Sequence, residues 1–183
     1  MSETATNTTG TGGQVHPMVM QQSLQAREFA AVAHVGQTYG PGEPYTAHLD
    51  AVASLVGDDD TTQAIAYLHD VVEDTPVPLA IIKETFGPFV AECVALLTDE
   101  PGINRKERKA KSHAKLAKVE ISHCAALVVK AADRCANVEA CVRKGNKGLW
   151  EMYRREQEAF RAAAYRPGLC DNLWNRIDAA LAA

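Results

Sequence analysis

The stretch Asp58-Asp59-Asp60-Thr61-Thr62-Gln63-Ala64-Ile65-Ala66-Tyr67-Leu68-His69-Asp70-Val71-Val72-Glu73-Asp74-Thr75 decides how the chain folds. The aspartates offer a helix cap, because a short side-chain oxygen can accept the otherwise unbonded first amides of a helix. Ile65, Leu68 and Val72 then recur at helical spacing, which predicts a helix over Thr61–Glu73 with one buried stripe. Such a stripe needs other helices to cover it, and both flanks supply them.

Upstream, Gln22–Tyr39 is Ala-rich with helical apolar spacing and stops at Gly40-Pro41-Gly42. Pro44 suits the first turn of a second helix, on which His48, Val52 and Leu55 share a face. Downstream, Pro78 and Pro88 read as helix starts separated by the Phe86-Gly87 stop. Asn104–Lys118 is a basic helix, Ser122–Arg143 is the most apolar one, and two more follow Gly148, broken at Pro167-Gly168. No alternating strand and no repeat interrupts this series. The fold class is all-α, a single helical bundle of about eight to nine helices over residues 18–183. Residues 1–17 are rich in Ser, Thr, Gly and Asn and offer little apolar surface to offset ordering entropy, so a disordered tail is expected there.

Composition narrows the function. The 183 residues are 46% hydrophobic and 23% charged, enough for one domain with a real core. A net charge of −4 argues against a dedicated nucleic-acid-binding domain, and no apolar run approaches the ~20 residues a membrane span needs. Met1–Pro17 holds no Lys or Arg, unlike a secretory signal, so a cytoplasmic protein with neither a nucleic-acid nor a membrane partner is expected; a homo-oligomer is left open. The cysteines Cys93, Cys124, Cys135, Cys141 and Cys170 are odd in number and form no C-x-x-C pair, which fits reduced structural thiols.

The chemistry gathers around His69-Asp70. Neighbours on a helix point about 100° apart, so both can reach one ion only in a pocket that other helices share. His48 and Asp133 are the candidates to complete it. Asp133 sits among Val128, Val129, Ala131 and Ala132, where a carboxylate is costly unless paired or bound to a metal. Two imidazoles and two carboxylates suit a divalent ion such as Mn²⁺, with Zn²⁺, Fe²⁺ and Mg²⁺ less favoured. A His-Asp pair alone is commonly a surface or capping pair. Here Glu73 and Asp74 follow one turn later, and four ionisable groups at a helix end are hard to explain by packing.

Several stretches together resemble a known family: Ala33-His34-Val35-Gly36-Gln37, Gly42-Glu43-Pro44-Tyr45-Thr46-Ala47-His48, Leu68–Thr75, Phe86-Gly87 and Lys130-Ala131-Ala132-Asp133-Arg134. In this order, over about residues 22–165, they resemble the HD-superfamily phosphohydrolases of the RelA/SpoT (p)ppGpp-hydrolase type, in the stand-alone form typified by the metazoan SpoT homologues. The resemblance implies an HD-type domain over 18–183 and one Mn²⁺ held by His48, His69, Asp70 and Asp133. It implies Glu73 and Asp74 as the catalytic acidic pair, and hydrolysis of the 3′-pyrophosphate of (p)ppGpp to GDP or GTP. Only about twenty residues follow the matched region, so no synthetase module is expected to fit after it.

A polyanionic nucleotide approaching an acidic protein needs a local cationic funnel. Seven of the nineteen basic residues fall between Arg105 and Lys118, and Arg105, Lys106 and Lys109 are the candidate substrate contacts. The chain also departs from the family pattern. Tyr39-Gly40 stands where the family usually has Arg and Lys beside the base. Tyr39 can stack but carries no guanidinium charge. After Asp133-Arg134, Asn137 is kept as a substrate contact, but the usual aromatic position is Ala136. These departures bear on substrate identity. Two alternatives stand beside alarmone hydrolysis: an HD phosphohydrolase for another nucleotide, such as NADPH at its 2′-phosphate, and a non-catalytic nucleotide sensor. His34, on an Ala-rich helix end, is expected to brace the loop after it.

Overall fold

A computed structural model describes residues 21–182; the expected tail over 1–17 lies outside them. Within them the chain is all-α, with nine α-helices of eight residues or more, one single α-turn and a 3-10 turn at Ile121–His123 before the eighth helix: α1 (Gln22–Ala33), α2 (Thr46–Leu55), α3 (Asp60–Leu68), α4 (Val71–Asp74), α5 (Leu79–Phe86), α6 (Pro88–Leu97), α7 (Arg105–Leu116), α8 (Cys124–Lys144), α9 (Lys147–Ala164) and α10 (Asp171–Ala182). The only extended pairing among the described residues is an isolated antiparallel bridge between Thr38 and Pro44.

The spine is α8, about 31 Å long at 1.5 Å per residue, packed against α2, α3, α6, α9 and α10. Its buried residues run almost all round it, from Ala126, Leu127 and Val129 to Val138 and Cys141, as a central helix requires. The small residues Ala131, Ala132 and Ala136 let α2 and α3 approach closely. The five cysteines are free thiols, with Cys93, Cys135 and Cys141 buried. No helix among the described residues is long and apolar enough to cross a membrane.

Local chemistry sets the ends. Asp59 caps α3 by accepting the Thr62 amide at 2.8 Å. Asn104 caps α7 by accepting the Glu107 amide at 3.0 Å, while the Glu107 carboxylate reaches back to accept the amide of Ile103, the residue before the cap, at 3.0 Å. Asp60 reaches across to α1 and accepts the Gln22 and Ser23 amides at 2.8 and 3.0 Å, which fastens the first helix to the third.

Two expected spans are corrected. The first helix ends at Ala33, not Tyr39. Gly36 takes the left-handed conformation (φ +81°), and residues after it form the loop closed by Tyr39 N to Glu43 O at 2.8 Å. The helix expected over Thr61–Glu73 breaks after Leu68. The His69 imidazole donates from Nδ1 to the Ala66 carbonyl at 2.7 Å, the acceptor that the Asp70 amide would use in an unbroken helix. At this break His69 Nε2 and Asp70 Oδ2 come within 3.0 Å of each other.

Candidate metal centre and substrate cavity

Three chain segments meet beside α8. The first turn of α2 supplies His48, the break between α3 and α4 supplies His69 and Asp70, and the middle of α8 supplies Asp133. His69 Nε2 lies 3.0 Å from Asp70 Oδ2 and 3.8 Å from Asp133 Oδ1; His48 Nε2 lies 3.4 Å from Asp133 Oδ1 and 3.7 Å from Asp70 Oδ2. One donor atom each of His48, His69 and Asp133 falls within 4.8 Å of the others. Both imidazoles are buried, and His69 Nε2 has no aligned hydrogen-bond partner. The Nδ1–H of His69 is committed to Ala66, so Nε2 is the nitrogen that faces the cluster. A buried imidazole nitrogen facing two carboxylates, with a second imidazole beside it, fits a divalent cation that takes the place of the proton on Nε2.

The electrostatics agree with that fit. Burial opposes a charge on His69, but the Asp70 and Asp133 carboxylates outweigh it and push the imidazole up to about 10. Burial likewise opposes ionisation of Asp133, but Lys130, His48 and His69 hold it well below the usual carboxylate range. Asp70 is lowered in the same way by His69. The cluster thus favours two ionised carboxylates with a positive charge between them.

A cavity of about 280 Å³ opens over this point, and its wall includes both expected acids and several cations. Glu73 and Asp74 sit at its exposed rim. Glu73 accepts the Asp99 amide at 2.9 Å, and burial of its carboxylate raises its pKa. Arg105 and Lys109 line the cavity, each already paired: Arg105 with Glu156 at 2.8 Å and Lys109 with Asp99 at 2.7 Å. Lys106 is exposed and does not join the lining. It sits a quarter-turn off the face that α7 shows to the cavity with Arg105, Lys109 and Ser112. Tyr39 and Asn137 are brought together, the Tyr39 hydroxyl donating to Asn137 Oδ1 at 2.8 Å. The Tyr39 ring is stacked on His48, centroids 4.6 Å apart. One face of the expected base platform is therefore covered by an imidazole.

Among the cavity residues that sequence reasoning missed are Tyr45, Lys130, Arg134 and His113. The Tyr45 hydroxyl donates to Asp70 Oδ2 at 2.6 Å and lies 3.0 Å from Asp74 Oδ2. Lys130 Nζ lies 3.6 Å from Asp133 Oδ2, and the acids around it keep it protonated against its burial. Arg134 is buried between the rings of Tyr153 and Phe160, with Nη1 unpartnered. His113 lines the same wall, and burial lowers its pKa. Tyr45, Lys130 and Arg134 stand in stretches that matched the family pattern, and that was the available signal. His34 stays outside the cavity. It braces the loop through Gln37 at 2.9 Å and stacks on Tyr45.

A family model described as an HD domain matches residues 26–169. The chain belongs to the HD-domain family. Within it, the chain sides with the RelA/SpoT-type members and their stand-alone, metazoan-like form. It is 31% identical over 141 residues to the guanosine-3′,5′-bis(diphosphate) 3′-pyrophosphohydrolase MESH1 of Drosophila melanogaster, covering 73% of this chain and 76% of that protein. It is 31% identical over 151 residues to the bifunctional (p)ppGpp synthase/hydrolase SpoT of Escherichia coli, covering 79% of this chain. The chain spans 22% of the length of that relative. The solved structure of a metazoan SpoT orthologue, described as hydrolysing ppGpp, superposes with a TM-score of 0.76 at 24% identity, over 91% of this chain and 96% of that one. At that identity the superposition shows a shared fold.

Proposed function

We propose that this HD-domain protein hydrolyses the 3′-pyrophosphate of (p)ppGpp to GDP or GTP and pyrophosphate, with one Mn²⁺ held by His48, His69, Asp70 and Asp133. The observation that carries the reading is the convergence of two imidazoles and two carboxylates at 3.0–3.8 Å beneath a cavity walled by Arg105, Lys109 and Lys130. The names of the MESH1 and SpoT relatives point to the substrate. When bound, the divalent ion lowers the pKa of water and offsets phosphate charge.

The chain's own groups do the rest. The His69 Nδ1–H bond to Ala66 fixes the tautomer that leaves Nε2 free to ligate. Glu73 serves as base, its partly desolvated carboxylate taking a proton from the attacking water, and Asp74, steadied by Tyr45, orients that water. The water oxygen bonds the phosphorus next to the 3′ oxygen, the bond from that phosphorus to the 3′ oxygen breaks, and the leaving oxygen is protonated. Arg105 and Lys109 exchange their carboxylate partners for phosphate oxygens. Lys106, outside the lining, contributes only to the field at the mouth. Asn137 and Tyr39 stand beside the nucleoside.

Tyr39-Gly40 favours a second reading, an intact site turned to another nucleotide, because neither residue brings a cation to a base. The test is product analysis with Mn²⁺-loaded protein on ppGpp, pppGpp, NADPH and a nucleotide panel. Pyrophosphate from ppGpp, lost in Asp70→Ala, supports the first reading. Turnover of another nucleotide with ppGpp untouched supports the second. Metal binding without any turnover makes the protein a sensor.

A further inference from the structure

We propose that Lys144 is a positioning residue for the metal site, acting through Tyr39 on His48 and Asp133. Lys144 is the last residue of α8, and Asp133, Asn137 and Lys144 fall nearly in line along that helix, at i, i+4 and i+11. Tyr39 lies along this line and is fastened at both ends. Its hydroxyl donates to Asn137 Oδ1 at 2.8 Å, and the Asn137 amide donates in turn to Asp133 Oδ1. At the other end, the Lys144 ammonium donates to the Tyr39 carbonyl at 2.8 Å and to the Glu43 carboxylate, and stands 4.5 Å from the Tyr39 ring centroid.

The ring so held stacks on His48, centroids 4.6 Å apart and planes 20° apart. One ammonium therefore supports the ring and hydroxyl that touch His48 and, through Asn137, Asp133, two ligands on different helices. Gly40 makes the arrangement possible. A Cβ there would stand 3.2 Å from Lys144 Nζ, and the residue sits at φ +81°. Tyr39 and His48 also wall a second cavity of about 270 Å³ between α2 and α8, so the fastened ring keeps it apart from the metal cavity. A lone exposed ion pair adds little. This ammonium instead joins a carbonyl, a carboxylate and a ring of one loop to the helix that carries Asp133.

The inference rests on His48 and Asp133 being ligands, and its test reads metal binding directly. Metal-stripped full-length protein is titrated with Mn²⁺ by calorimetry, with a thermal melt of each variant. Lys144→Met is expected to bind Mn²⁺ about tenfold more weakly, the lower end of what loss of an outer-layer partner costs. Glu43→Gln is expected to weaken binding in the same direction by less, and Lys147→Met, outside the clasp, to match wild type. Wild-type affinity in both Lys144→Met and Glu43→Gln, with binding lost in Asp133→Ala, overturns the proposal while leaving the ligand set intact. Failure of the wild-type protein to bind Mn²⁺ overturns the ligand set itself. If Lys144→Met does not fold, Glu43→Gln on the exposed loop decides: unchanged affinity there overturns the proposal.

Discussion

The Tyr45 hydroxyl donates to Asp70 Oδ2 at 2.6 Å, joining the loop before α2 to the break between α3 and α4. Asp70 therefore reaches the cluster with one oxygen already oriented by a half-buried phenol, whose pKa desolvation and the two neighbouring aspartates push far up. Tyr45→Phe keeps the ring stacked on His34 and removes the hydroxyl's bonds to Asp70 and Asp74. Mn²⁺ affinity is expected to fall about tenfold with an unchanged thermal melt. Titration calorimetry beside circular dichroism checks it.

Glu73→Gln preserves shape and removes the base. Bound Mn²⁺ is expected to stay at the wild-type amount, while kcat falls by about 10²–10⁴-fold. Full turnover in Glu73→Gln would show that another group takes the proton.

The two cations that α7 brings to the cavity, Arg105 and Lys109, differ from their neighbour Lys106. Arg105→Met and Lys109→Met are each expected to raise KM for ppGpp about tenfold, as loss of a charge-assisted bond to phosphate should. Lys106→Met is expected to change KM by less than about twofold, since it contributes only screened field. Steady-state kinetics at two ionic strengths separates the cases, because a field effect fades with salt and a direct contact persists.

Asp60 gives a test of stability. The Ser23 hydroxyl and amide and the Gln22 amide hold its carboxyl below the ordinary value of 3.8. A carboxyl lowered in the folded state adds stability above its unfolded pKa and loses it as pH falls through its folded pKa. Urea unfolding should therefore show a fall in stability below about pH 3.8 to which Asp60 contributes, and Asp60→Ala should remove about 1 kcal/mol at pH 7. Unchanged stability at pH 7 would show that the cap between α1 and α3 is idle.

The parts legible in the sequence were those whose cause is local. Asp59, Pro78, Pro88 and Asn104 mark helix starts with their own side chains, and each start lies within a residue or two of where it was read. The break at His69-Asp70 was not legible, because its cause is an imidazole turned back onto the Ala66 carbonyl. The early end of α1 was hidden by an apolar pattern that runs on past Gly36. In the site, His48, His69, Asp70 and Asp133 could be named from matched stretches, and the bundle brings them within ion reach. Lys144 could not be named, since 105 residues separate it from Tyr39 and only the packing of the loop on α8 joins them.

The most direct test measures metal and turnover in the same samples. Mn²⁺ per chain and pyrophosphate released from ppGpp are determined for wild type and for His48→Ala, His69→Ala, Asp70→Ala and Asp133→Ala. One Mn²⁺ per wild-type chain is expected, with metal and turnover lost together in the variants that still melt cooperatively. Full pyrophosphate release from metal-stripped protein, or from a folded variant that no longer binds Mn²⁺, would contradict this expectation.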